Sequence, residues 1–231
     1  MPREVYLVRH AQASFGAEDY DVLSDVGERQ AAVLGAALRA RLPSVDLVVA
    51  GRMRRHRRTA EACLDAMGAK APVVEDAGWD EYDHRDVIRA AEPRHADHAA
   101  MLEDLLAADD PRRAFQQMFS RAVERWASGL HDADYREPWP AFRARVDAAL
   151  ARAVEAPGAP ERTLVFTSGG PILAACASLL RIPTGEALRL GWGLANASVT
   201  KLVVGSTGAR VSSLNEHGHF SGEHAGLLTF R

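Results

Sequence analysis

Residues 5–14 read VYLVRHAQAS, and this stretch decides the fold. Four residues suited to a buried strand, Val5 to Val8, lead directly into Arg9 and His10. A protein core accepts such charged or titratable side chains only when they have partners. The pattern therefore predicts a buried strand that ends at a polar site, where Gln12 supplies a further polar group.

Short apolar runs alternate with helical patterns, which favours a sheet covered by helices on both faces. The predicted strands are Val5 to Val8, Leu47 to Val49, Pro72 to Val74, Leu164 to Thr167, Val199 to Val204 and Arg210 to Leu214. Ser24 is a suitable N-cap for the first amphipathic helix, and similar apolar stripes predict three more. We expect a three-layer α/β/α fold with a mostly parallel central sheet.

The length and composition predict one domain over residues 1–231. A chain of this length that is 47% hydrophobic can bury one large core. Between Asp83 and Pro138 the strand signal disappears, and the segment reads as charged helices with too few apolar residues for a core of their own. We expect an insertion that packs over the active-site end of the sheet and governs substrate choice.

Charge and hydropathy exclude several classes of protein. Acidic residues (31) slightly exceed basic ones (28), so nothing draws the whole chain toward nucleic acid or anionic membranes. No segment approaches the roughly 20 apolar residues of a membrane span, and we expect a soluble, cytoplasmic protein. Cys63 and Cys176 occupy apolar helical positions without metal-like spacing, which predicts core packing. Whether the chain forms a homodimer stays open.

The second strand end is followed by AGRMRRHRRTAE, residues 50–61, which contains five arginines. Cations at a helix N-terminus oppose the helix dipole, whereas a bound anion is stabilised there. The cluster therefore indicates a phosphate site. We interpret four of the arginines as a solvated basic face and expect Arg55 to point inward, because it shares a helix face with Thr59 and Cys63.

Two further strand ends supply candidate site residues. In LVFTSGGPI, residues 164–172, Ser168 and Gly169 open a helix whose backbone N–H groups can approach an anion. GWDEYDH, residues 78–84, offers three carboxylates, of which we select Glu81 as proton donor although spacing does not separate it from its neighbours. A neutral histidine flanked by arginines can attack phosphorus.

The motif LVRHAQA resembles the Arg-His-Gly signature of the histidine phosphatase superfamily, the phosphoglycerate-mutase-like proteins, with Ala11 in place of glycine. Residues 23–31 and 51–61 are similar to two further motifs of that family. The resemblance implies that His10 is transiently phosphorylated, that Arg9 and Arg55 hold the phosphoryl group, and that Glu81 acts as acid and then base. It implies a metal-independent phosphatase without a cofactor, acting on a small phosphorylated metabolite or a phosphoprotein.

One position departs from that family pattern. The family normally carries a second histidine before the glycine that follows the fourth strand, where this chain has Ser168. A serine hydroxyl can bond a phosphate oxygen but supplies no positive charge. Losing most of a hydrogen bond worth about 1.5 to 3 kcal/mol would slow the chemistry roughly ten- to a hundredfold. His84, His217 and His219 are the candidates to compensate.

Four other functions stay open at this point. The first is a phosphate-binding regulatory protein without turnover, and the second is a mutase. We rank the mutase lower because residues 11–25 lack the Gly-Trp-x-Asp segment of cofactor-dependent mutases. A metal hydrolase finds little support, because His217 and His219 stand close together without an HExxH-like pattern. Nucleic-acid binding through Arg52 to Arg58 is disfavoured, since no aromatic residues interleave the arginines.

Overall fold

The fold is described here from a computed structural model, which covers residues 3–14, 21–155 and 160–230. Its strands are β1 (Arg3–Arg9), β2 (Leu47–Ala50), β3 (Val73–Glu75), β4 (Arg162–Thr167), β5 (Val199–Gly205) and β6 (Gly208–Glu216). They form one sheet in the order β3, β2, β4, β1, β5, β6. The first four strands in this order are parallel to one another, whereas β5 is antiparallel to both β1 and β6. The mixed, mostly parallel sheet is as predicted.

Helices cover both faces of this sheet. They are α1 (Asp25–Arg41), α2 (Arg54–Met67), α3 (His84–Ala91), α4 (His98–Leu106), α5 (Pro111–Ala127), α6 (Trp139–Glu155), α7 (Gly169–Leu180) and α8 (Thr184–Gly191). Side chains alternate between the two faces along a strand. Tyr6 and Val8 pack in the cluster formed with α1 and α2, while Val5 and Leu7 pack in the cluster formed with α6 and α7. The three-layer fold is confirmed.

The segment predicted as an insertion folds into α3, α4 and α5 and ends where α6 begins. Val123 and Trp126 of α5 lie in the same buried cluster as Phe142 of α6, with the Trp126 and Phe142 ring centroids 5.3 Å apart. Val87 of α3 joins them. The insertion therefore packs on the core of the sheet layer instead of building a separate one.

Two smaller expectations concern helix starts and cysteines. Ser24 caps α1, because its Oγ accepts a hydrogen bond from the Gly27 N–H at 3.0 Å. Cys63 and Cys176 are buried free thiols, and burial raises the pKa of each to about 12, which agrees with core packing.

Of the helices in the described ranges, none is long and apolar enough to cross a bilayer.

Candidate active site

His10 follows the last residue of β1 and is held at the sheet edge by the backbone. Its N–H donates to the Thr167 carbonyl of β4 at 2.8 Å, and its ring Nδ1 lies 2.7 Å from the Ala11 carbonyl oxygen. A carbonyl can only accept, so Nδ1 carries the ring proton and Nε2 keeps its lone pair. Burial, followed by the charges of Arg55 and Arg9, holds the pKa of His10 well below its usual value. The imidazole is therefore neutral and oriented, as a nucleophile requires.

Arg9 and Arg55 lie on the same cavity as His10, which has a volume of about 270 Å³. The guanidinium of Arg9 donates to the carbonyl oxygens of Leu194 and Phe230, the latter at 3.2 Å. Arg55 is buried and points inward as predicted, whereas the other four arginines of residues 52–58 are exposed. The sheet edge thus places two fixed cations beside one neutral imidazole.

Asp21 supplies the anion at the start of α2. One carboxylate oxygen accepts from the Arg54 backbone N–H at 2.8 Å, and the other pairs with the Arg55 guanidinium at 2.7 Å. This carboxylate offsets the unfavourable arginines at the helix N-terminus. It also orients Arg55 beside the cavity. A carboxylate of the chain itself therefore balances the arginine charges at the start of α2.

Glu81 is the carboxylate that reaches the cavity. Its Oε2 accepts from the Gly170 N–H at 3.1 Å, and its Oε1 accepts from the Tyr82 N–H at 3.2 Å. Burial raises its pKa, against the opposing effects of these hydrogen bonds and of Arg55. A Cβ at Gly170 would overlap Oε1. The glycine is therefore needed to seat this side chain.

The two neighbouring carboxylates are used elsewhere. Asp80 pairs with the Arg52 guanidinium at 2.8 Å, and Asp83 caps α3 by accepting from the Arg85 N–H at 3.0 Å. Neither lines the cavity. Spacing left open which of the three carboxylates serves the site, and the fold brings Glu81 to the cavity.

Ser168 is fully buried, and its partner is a histidine that the sequence interpretation missed. The Ser168 Oγ lies 2.6 Å from Nε2 of His56, whose ring is also fully buried and has its centroid 5.7 Å from that of His10. His217 and His219 instead bond backbone carbonyls away from the cavity, at 2.6 and 3.1 Å. His84 lines the cavity. The imidazole beside Ser168 therefore comes from none of the three predicted candidates.

A signal for His56 was present in the sequence. With Ala60, Cys63 and Met67 it forms a stripe at spacings of four, three and four residues, which is the buried face of α2. A histidine on such a stripe is inside the protein. What the sequence does not contain is the pairing with a residue 112 positions away.

The remaining predicted ligands differ in position. Gly169 lines the cavity, directly after Ser168. Gln12 does not line it, and its amide oxygen accepts from the Ser24 hydroxyl at 2.8 Å. Its contact with a substrate stays a prediction. Over the ranges that the structure describes, no three His, Cys, Asp or Glu side chains come together as a metal site.

The rest of the cavity wall is apolar. Its aromatic members come from the loop before α3, from the insertion, from α6, from the end of α8 and from the C-terminal segment; they are Tyr82, Phe115, Phe119, Trp126, Trp139, Trp192 and Phe230. Aliphatic side chains of α5, α7 and α8 complete it. The cavity is therefore charged at the sheet edge and aromatic beyond it.

This edge of an α/β sheet places a neutral histidine beside two arginines, a set of groups that can bind and attack a phosphoryl group. The family model for the histidine phosphatase superfamily (branch 1) matches residues 5–112 and 107–217. The chain belongs to this superfamily. No curated protein matches the chain at a significant level.

Solved structures share this fold. Phosphoglycerate mutase from Bacillus anthracis str. Sterne is 18% identical, with a TM-score of 0.66 and coverage of 94% of this chain and 95% of that one. Mycobacterial glucosyl-3-phosphoglycerate phosphatase is 21% identical, with a TM-score of 0.61 and coverage of 94% and 100%. A phosphoserine phosphatase mutant from Entamoeba histolytica, in complex with phosphoserine, is 14% identical, with a TM-score of 0.61 and coverage of 95% and 100%. At these identities the likeness is one of fold.

Proposed function

We propose that the protein is a metal-independent phosphatase that hydrolyses a small phosphomonoester through a phosphohistidine on His10. The observation that carries the proposal is the hydrogen bond from His10 Nδ1 to the Ala11 carbonyl, in a buried ring flanked by Arg9 and Arg55. It leaves Nε2 free to attack, with cations in place for the phosphoryl oxygens. Membership of the superfamily supports the same chemistry.

In the first step, Nε2 of His10 attacks phosphorus while the ester P–O bond breaks. The departing oxygen takes a proton from Glu81, whose raised pKa favours the protonated form that a general acid needs. Arg9 and Arg55 stay bound to the phosphoryl oxygens throughout. The alcohol leaves, and the phosphoryl group remains on His10.

In the second step, water attacks phosphorus and gives its proton to Glu81, now a carboxylate. The P–N bond breaks, the electron pair returns to Nε2, and orthophosphate leaves. Protonated Glu81 and neutral His10 are thereby restored. The two steps need no group beyond the residues named and one water molecule.

The charge distribution of the cavity favours a phosphatase over a mutase. A mutase acting on a phosphorylated carboxylic acid must hold several negative charges at once. Of the described residues that line this cavity, the arginines are Arg9 and Arg55, both at the phosphoryl end. The site therefore suits one phosphoryl group on an otherwise uncharged molecule.

The experiment is phosphate release from a panel of phosphomonoesters by the natural chain, by His10→Ala and by His98→Ala. His98 is exposed on α4 and serves as the matched control. We expect turnover that survives strong chelation, disappears in His10→Ala and is unchanged in His98→Ala. Acid-labile, alkali-stable label on His10 from a ³²P-labelled ester identifies the intermediate.

Two outcomes would contradict the proposal. Turnover that persists in His10→Ala would exclude a phosphohistidine at this residue. Phosphate binding by the natural chain without turnover of any ester, together with turnover by a Ser168→His variant, would assign the protein to phosphate binding alone.

A further inference from the structure

The cavity continues from the phosphoryl site into an aromatic chamber, which we define by Phe115, Phe119, Trp126, Trp139 and Trp192. Phe115 stacks on Phe119 with ring centroids 5.9 Å apart, and Phe119 meets Trp192 edge-on at 5.7 Å. These rings come from α5, from α6 and from the end of α8, so the chamber is a product of the tertiary fold.

The rings of the chamber differ in exposure. Trp126 and Trp139 are buried and form its inner wall, whereas Phe115 and Phe119 are half-buried and Trp192 is 37% exposed. Rings that remain accessible inside a concave site bind apolar ligands, because covering them removes apolar surface from water. The indole N–H of Trp126 is used internally, donating to the Glu137 carbonyl at 2.9 Å.

Charge is confined to one end of the cavity. The arginine, histidine and acidic side chains among its described lining residues are Arg9, His10, Arg55, Glu81 and His84, and none of them lies on α5, α6 or α8. A polyhydroxylated or carboxylated leaving group would lose most of its water in the chamber, where the indole N–H groups of Trp139 and Trp192 are the donors that the five rings offer in exchange. An apolar ring makes no hydrogen bonds to water that it would have to give up on entering the chamber.

We propose that the substrate's leaving group is an apolar, ring-bearing alcohol that occupies the aromatic chamber while its phosphoryl group lies at His10. This inference rests on the proposed function and names the class of ester. A cavity of about 270 Å³ accommodates a phosphoryl group with one ring system, which indicates a small metabolite as the ligand.

The test compares esters whose leaving groups are equally basic, so that intrinsic reactivity does not decide the result. The pair is 2-phenylethyl phosphate and ethyl phosphate, with glycerol 1-phosphate and O-phosphoserine as polar arms. Calorimetric titration with the corresponding 2-phenylethylphosphonate and ethylphosphonate measures binding without turnover. We expect kcat/KM and affinity to favour the phenyl member roughly ten- to a hundredfold.

Trp192→Ala and Leu190→Ala form the matched variant pair. Leu190 lies on the same helix and is 45% exposed, but it does not line the cavity. We expect Trp192→Ala to lose most of the phenyl preference, measured as the ratio of kcat/KM for 2-phenylethyl phosphate to kcat/KM for ethyl phosphate. Leu190→Ala keeps the ratio of the natural chain.

The outcomes separate this inference from the proposed function. Equal handling of the phenyl and ethyl esters and phosphonates, or a preference for the polar arms, would overturn the chamber as a leaving-group site although hydrolysis stands. Absence of hydrolysis with a preserved phenyl preference in phosphonate binding would overturn the phosphatase and support the chamber.

A second inference concerns the buried pair of His56 and Ser168 and is independent of the chamber. Nδ1 of His56 packs against Gly51, where a Cβ would overlap it, and has no hydrogen-bond partner among the described residues. Buried N–H groups without acceptors are rarer than unpaired acceptors. The proton of the ring therefore belongs on Nε2, where it is donated to the Ser168 Oγ at 2.6 Å.

Ser168 is fully buried and does not itself line the cavity, but both of its chain neighbours are in contact with the phosphoryl site. Thr167, the residue before it, pairs with Arg9 across the sheet and accepts the His10 N–H, while Gly169, the residue after it, lines the cavity. Because its oxygen accepts from His56, the Ser168 hydroxyl hydrogen is not used in that bond and is available to a second acceptor.

We propose that His56 is a positioning residue that makes Ser168 a directed donor to a phosphoryl oxygen. The imidazole holds the hydroxyl in one orientation, and the hydroxyl makes the contact. A growing negative charge on the phosphoryl group polarises the chain of two hydrogen bonds. This proposal also rests on the proposed function.

Conservative variants separate this role from simple packing. His56→Gln keeps an N–H donor in the chain, whereas His56→Leu fills similar space without one. We expect kcat to fall roughly ten- to a hundredfold in His56→Leu and Ser168→Ala, and to recover substantially in His56→Gln. The double variant His56→Leu with Ser168→Ala loses no more than either single variant.

Orthovanadate affinity, measured by calorimetry, provides a readout without turnover, and we expect it to follow the same order. His219→Leu is the matched control, because His219 is half-buried and bonds the Ala197 carbonyl through its Nε2 but does not line the cavity. Equal kcat and vanadate affinity in His56→Leu and His56→Gln, or additive losses in the double variant, would overturn the role of His56 as a positioning residue for Ser168. If the natural chain shows no turnover but the variants show the expected order of orthovanadate affinities, only the proposed phosphatase activity is overturned.

Discussion

At the scale of single residues, the site depends on environments that shift proton affinity in opposite directions. Burial, followed by the charges of nearby arginines, lowers the pKa of His10, and burial raises that of Glu81. The same pocket therefore keeps the imidazole neutral and shifts the carboxyl group toward its protonated form. These are the two states that the first step of phosphoryl transfer requires.

Glu81→Gln tests the acid. We expect kcat for ethyl phosphate to fall about 10²- to 10⁴-fold, because its alkoxide leaves only with a proton. The loss with 4-nitrophenyl phosphate is smaller, since that leaving group departs as an anion. The pH dependence of kcat checks the assignment: activity falls as pH rises through the raised pKa of Glu81, and this limb disappears in Glu81→Gln. Equal losses for both esters would contradict the role.

Gly170→Ala tests how Glu81 is seated. The added methyl overlaps Oε1, so the carboxylate must move away from the leaving oxygen. We expect a loss of kcat that approaches that of Glu81→Gln, with about 1–3 kcal/mol of destabilisation from overpacking. Gly185→Ala is the control, because a Cβ there meets open space. Unchanged kcat in Gly170→Ala would show that Glu81 is placed by other contacts.

At the scale of elements, α2 and α7 begin at the sheet edge with different residue types but with the same kind of partner. α7 opens with glycines, and its Gly170 N–H binds Glu81. α2 opens with arginines, and Asp21 occupies its N-terminus. Each helix start is thus satisfied by a carboxylate of the chain that also serves the site.

Asp21→Asn tests the start of α2. Removing the negative charge weakens the helix cap and frees the Arg55 guanidinium from its 2.7 Å partner. We expect about 0.5–2 kcal/mol of destabilisation in urea unfolding and a weaker affinity for inorganic phosphate. Glu75→Gln, which removes an exposed pair with Arg57, is the control and has little effect on either measurement. An unchanged phosphate affinity would separate Asp21 from the site.

At the scale of the whole molecule, the buried histidines make stability depend on pH. The folded-state pKa values of His10 and His56 lie well below 6.5, and burial lowers that of His219 to about 4. The unfolded chain therefore binds more protons below about pH 6.5, and the free energy of unfolding falls as pH falls. The raised pKa of Glu81 acts in the opposite direction, since its folded form binds the extra proton.

His219→Gln measures one part of this effect. Each proton taken up on unfolding contributes a slope of about 1.4 kcal/mol per pH unit, so the decline in stability between pH 6.5 and 4 becomes shallower by up to that amount. Urea unfolding across this range, with exposed His98→Gln as control, gives the measurement. An identical slope in His219→Gln would place its protonation outside the folding equilibrium.

The insertion makes a second prediction at this scale. Trp126 and Phe142 pack together across the boundary between the insertion and α6, so the two parts share buried surface. We expect one calorimetric unfolding transition, and Trp126→Ala lowers the stability of the whole chain by about 3–5 kcal/mol. Two resolved transitions would indicate that the insertion folds separately.

The sequence by itself determined the strands, the three layers and the polar residues at the strand ends, because side-chain periodicity and turn chemistry act over a few residues. It placed His10, Arg9 and Arg55 at one edge, since parallel strands end together. The tertiary structure decided which carboxylate reaches the cavity, which histidine stands beside Ser168, and how rings from three helices line one chamber. Those choices depend on packing between segments far apart in the chain, and local patterns carry no record of such distances.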